Sequence, residues 1–88
     1  MRQDTTNDAG TLALQALAAA LGDQRLAERF LSLSGIEAPE LRQSAGDPRF
    51  LAAFLTFLEA HEPDLVAVAG QIGVDAPALV EARRALES

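Results

Sequence analysis

The chain has 88 residues, 49% of them apolar, with four Phe and no Cys, Trp or Tyr. That is enough for one hydrophobic core and too little for two, and the core must form without disulfides. The formal net charge is −6, which disfavours phosphate backbones as partners. The missing Cys excludes thiolate metal sites and cysteine nucleophiles.

Residues Met1 to Asp8 are polar and without period. They are expected, with the two residues that follow, to form a flexible N-terminal tail over 1–10, ahead of a single helical domain over 11–88. The first predicted helix covers about Thr11 to Leu21, with Leu14, Leu17 and Leu21 as its inward stripe. Gly22 supplies a C-terminal stop and Asp23 an N-cap for a second helix, about Gln24 to Ser34. Its inward face reads Leu26, Phe30 and Leu33, and Gly35 ends it.

Gly35-Ile36-Glu37-Ala38-Pro39-Glu40-Leu41 then introduces a phrase that recurs as Gly73-Val74-Asp75-Ala76-Pro77-Ala78-Leu79. Each residue type suits a corner between helices. Glycine takes a left-handed C-cap, the aliphatic makes the accompanying hydrophobic contact, the acid and the proline start the next helix, and the leucine points into the core. The first copy opens a short third helix, about Pro39 to Ala45. Gly46-Asp47-Pro48 closes it and starts a fourth, about Pro48 to Ala60.

This fourth helix carries three of the four Phe residues, at Phe50, Phe54 and Phe57, so it is expected to lie at the centre of the fold. Glu62-Pro63-Asp64 starts a fifth helix, about Pro63 to Ile72. Gly70 inside it points to close approach of another helix as compensation for its poor helix propensity. After Gly73 the second copy of the phrase leads into a sixth helix ending near Glu87, with Leu79, Ala82 and Leu86 inward. The expectation is an all-α, compact bundle of five or six short helices. Residues 11–46 and 49–87 read alike as two pseudo-repeated three-helix units, through either duplication or convergent capping chemistry.

With the helices placed, the chain resembles a family of short proteobacterial proteins catalogued as a domain of unknown function. The resemblance spans about Leu12 to Leu86. It rests on Leu14-Gln15-Ala16-Leu17, Arg29-Phe30-Leu31-Ser32-Leu33-Ser34-Gly35, Leu41-Arg42, Ala45-Gly46-Asp47-Pro48 and Phe50-Leu51-Ala52-Ala53 followed by Leu55. The family often has an aromatic and an acidic residue before the first loop, where this chain has Ala18-Ala19-Ala20-Leu21-Gly22. The resemblance implies a bacterial cytoplasmic origin and no particular activity.

No residue set argues for catalysis, a cofactor or a metal. His61 is the single imidazole, and its neighbours Glu59, Glu62 and Asp64 are adjacent loop and helix-end residues that point in different directions. Ser32, Ser34 and Ser44 lack a nucleophile elbow, and Gly70-x-x-Gly73 lacks the lysine and strand of a phosphate loop. All seven cations are Arg, scattered without a stripe. The N-terminus shows no leader pattern, and the apolar stretch Phe50 to Leu58 is far short of the ~20 residues a span needs, so a cytoplasmic protein is expected. The function expected is a non-enzymatic interaction module with a protein partner or as a homodimer. The alternative is a helix-turn-helix nucleic-acid binder, suggested by the spacing of Ala69, Gly73 and Leu79.

Overall fold

The computed structural model describes residues 5–88 as six α-helices: α1 Thr5–Leu21, α2 Gln24–Ser34, α3 Ala38–Ser44, α4 Pro48–Glu59, α5 Glu62–Gln71 and α6 Ala76–Glu87. No strand occurs among the described residues. The all-α bundle is as expected, and α2 to α6 start and stop within a residue of where their capping chemistry places them. Helix α1 does not.

It begins at Thr5, so residues 5–10 of the expected tail are helical, while residues 1–4 lie outside the described residues. The physical reason is an alanine stripe. Ala9, Ala13, Ala16 and Ala20 are all buried, at spacings of four, three and four residues, and Leu17 joins them. At 3.6 residues per turn, Leu14 and Leu21 fall about 100° away from the centre of that face. They are 45% and 37% exposed. The leucines of α1 suggest one inward face, and the alanines set another, because small side chains let α1 lie close against α6.

Helix α6 is the hub. Leu79, Ala82 and Leu86 are buried, and the helix packs most extensively against α1 and α4 and also against α5. Helix α4 shares the centre rather than holding it alone. It buries Leu51, Ala52, Phe54, Leu55 and Leu58 and packs on α1, α5 and α6. Asp47 caps it, accepting from the Arg49 N–H at 2.9 Å, and Pro48 occupies the first turn, where its missing N–H has no consequence.

Both copies of the repeated phrase turn the chain at a left-handed glycine, but the aliphatic packs against the core only in the second, at Val74. Gly35 has φ +72° and Gly73 has φ +80°, the two left-handed glycines among the described residues. Asp75 Oδ1 accepts from the Ala78 N–H at 3.1 Å. In the first copy the reverse half of a capping box appears, with the Glu37 N–H donating to Glu40 Oε1 at 3.0 Å. The one unlike position of the phrase, Glu40 against Ala78, is therefore a difference in capping.

The two three-helix units do not pack alike. In the second, α6 docks on α4 and α5; in the first, α3 meets the other helices only lightly, through Leu41. Helix α2 lies along α1 and buries Leu26 and Phe30, but Leu33 is 71% exposed because the end of α2 has no helix facing it. The expectation for Gly70 also fails. A Cβ built there would meet no atom within 4 Å, so no helix approaches and the glycine is simply a weak point in α5.

Candidate interaction surface

Two kinds of surface compete for a functional role: ionisable clusters and apolar hollows. The α4–α5 junction holds one ionisable cluster. His61 is the N-cap residue of α5, 57% exposed at its side chain, and its Nδ1 lies 2.8 Å from Asp64 Oδ2. The same Asp64 oxygen accepts from the Arg29 guanidinium, which also lies over the Phe57 ring at 5.4 Å from its centroid. Burial pushes the Asp64 carboxyl up, but the hydrogen bonds from Arg29 and His61, with their charges, outweigh it and hold the group below the ordinary Asp value.

Glu59, only two residues before His61, turns the other way and accepts from Arg83 of α6. Arg83 also donates to Glu87 at 2.8 Å. The hydrogen bond to Glu59 outweighs the guanidinium's partial desolvation and, with Glu87, raises its pKa. The carboxylates around His61 thus serve different arginines. No group of three or more His, Asp or Glu side chains among the described residues is placed to hold a metal ion. Ser34 is occupied locally, donating to the Leu31 carbonyl and accepting from the Ile36 N–H. These pairs join α2 to α5 and α4 to α6.

The apolar hollows are different. One groove, about 280 Å³, runs between α1, the α3–α4 turn and the end of α6. Leu14, Leu51 and Leu86 form its apolar wall, and Gly10 and Gly46 keep it open by lacking side chains. Leu14, expected inside, instead stands at this mouth. On the far side of Leu86 a second hollow of about 530 Å³ is lined by Ala52, Ala53 and Thr56, with Arg49 and Glu87 at its edges. The large apolar residues of α4 and α5 are mostly covered; Leu14, Leu21 and Leu33 on α1 and α2, with Val66 on α5, are the exposed ones. Sequence reading missed the groove because it depends on which face of α1 turns inward.

The α5–α6 corner carries the helix-turn-helix positions. Ala69 is 1% exposed, Leu79 is fully buried, and the two helices bend by 97° about Gly73. The solvent strip of α6 offers Pro77, Glu81 and Arg84, and Arg84 pairs with Glu81 at 3.3 Å. Arg83 is already engaged by Glu59 and Glu87.

These features define a small six-helix domain whose ionisable groups tie helices together and whose surface carries apolar hollows on either side of Leu86. The chain belongs to the family described as "Protein of unknown function (DUF3572)", whose profile matches residues 6–88. The match begins inside α1, ahead of the point where the resemblance in the sequence starts. No curated protein and no solved structure matches the chain. No single helix among the described residues is long and apolar enough to cross a membrane.

Proposed function

We propose that this domain is a non-enzymatic, cytoplasmic interaction module that binds a protein partner or a second copy of itself through the groove bounded by α1, α4 and α6. One observation carries the reading: Leu14 is 45% exposed at the mouth of a groove whose wall continues through Leu51 and Leu86. A leucine in that position gains from being covered, and each square ångström of apolar surface removed from water contributes about 25 cal/mol. The ion pairs around Asp64 and Arg83 support the same reading, since they leave those groups engaged in structure.

Light scattering across a concentration series, on the wild type and on Leu14→Asp, tests the proposal. Self-association lost in Leu14→Asp, or a captured partner released by it, supports the groove. Association or capture indifferent to Leu14→Asp overturns it.

The corner geometry favours a second reading, a helix-turn-helix that binds nucleic acid. The 97° bend falls within the ~90–120° range of that motif. Its weakness is charge, because the arginine on the solvent strip of α6 is paired with Glu81 and the chain carries −6 overall. A strictly monomeric protein that shifts DNA at low salt, with a steep salt slope, would favour this reading over the first.

A further inference from the structure

We propose that α2 and α3 form an arm that opens as one unit while α1, α4, α5 and α6 stay packed, with Arg29 and Phe30 as its clasp. The inference does not rest on what fills the groove, although Gly46 at one end of the arm lines it. Of the buried residues described, only Leu26, Phe30 and Leu41 lie on the arm, and every other one lies on the remaining four helices. Local opening follows buried apolar contact, so the segment with least of it opens first. Helix α3 packs closely on no other helix, and the end of α2 leaves Leu33 in solvent.

What holds the arm is concentrated at two adjacent residues. The Phe30 ring enters a slot made by α4, with centroids 5.8 Å from Phe50, 5.2 Å from Phe54 and 5.1 Å from Phe57. Next to it, Arg29 lies over the same Phe57 ring and donates to Asp64 at the start of α5. The arm is bounded by Gly22-Asp23 and Gly46-Asp47, two tight turns at helix ends where a change of φ and ψ can be absorbed. Swinging about them withdraws Phe30 and bares the α4 aromatic face, while the packing of α6 on α1, α4 and α5 is retained.

Native-state hydrogen exchange on the full chain, read by mass spectrometry, tests this. The α2 amides from Ala27 to Leu33 should exchange at least about ten-fold faster than the buried amides of α1, α4 and α6. Two mild variants then separate a hinged arm from uniform unfolding. Arg29→Met keeps the stem on Phe57 and loses the tie to Asp64, so it should speed arm and core amides by the same factor, since every opening route loses that tie. Val80→Ala weakens contacts of α6 that survive when only the arm opens. It should speed the core amides about five-fold and leave the arm rate unchanged. Ala85→Gly provides a second core variant with the same expectation. One common exchange rate for all protected amides in the wild type overturns the proposal. So does a core variant that speeds the arm as much as the core.

Discussion

Gly70 and Gly73 lie three residues apart at the end of α5, and the same substitution at each should move stability in opposite directions. At Gly70 a Cβ meets nothing within 4 Å and the residue is helical. Alanine there neither clashes nor gains contacts, so the effect comes from the unfolded chain, whose freedom alanine reduces. The interior helix value is about 1 kcal/mol, and since Gly70 sits one residue from the helix end, a gain of about 0.5–0.8 kcal/mol is expected. At Gly73, with φ +80°, a side chain is strained whatever the space around it. The left-handed conformation costs alanine about 1–2 kcal/mol, partly offset by the same unfolded-state term, for a net loss of about 1 kcal/mol. For a domain of this size each kcal/mol moves Tm by about 4–8 °C. Gly70→Ala should therefore raise Tm by about 2–6 °C and Gly73→Ala should lower it by about 4–8 °C. The chain has no Trp or Tyr, so the measurement is helical circular dichroism against temperature, with urea unfolding as a check. Destabilisation by Gly70→Ala would refute the reasoning, because it would mean that something occupies the space beside that residue.

Removing the Phe30 ring should be the most damaging single change on the arm: Phe30→Ala is expected to cost about 3–5 kcal/mol and Phe30→Leu markedly less, by urea denaturation. The N-cap at Asp75 is worth about 1 kcal/mol, so Asp75→Ala should lower Tm, while Asp75→Asn should retain most of the stability because Asn also accepts from the Ala78 N–H. Acid should release the Asp64 tie. Its folded pKa is depressed, so its stabilisation is present above the unfolded value of about 3.9 and is lost as pH falls through the folded value. The stability difference between wild type and Asp64→Asn should thus be present above the unfolded carboxylate value and vanish in strong acid, and a difference that persists undiminished in strong acid would reverse the assignment.

Helix ends are local affairs, and the chain states them openly. Asp23, Asp47 and Asp75 accept from backbone N–H groups two or three residues on, and Gly35 and Gly73 take the left-handed conformation, because these depend on a few consecutive residues and on nothing distant. The six helices and both corners were legible for that reason. Facing is different. Leu14 and Ala13 are neighbours in sequence, yet Ala13 is fully buried and Leu14 is 45% exposed. Hydrophobicity alone ranks them the other way.

The choice falls to α6, which packs extensively on the α1 face that carries Ala9, Ala13, Ala16, Leu17 and Ala20 and leaves Leu14 and Leu21 outside it. The same decision opens the groove at Leu14 and extends the buried face of α1 back to Ala9. It also leaves α3, which begins with the same corner as α6, without an equivalent seat. Capping chemistry is written within a turn of helix and can be read there. The burial of a given face depends on the distance to a helix more than sixty residues away, and that distance exists only once the chain has folded.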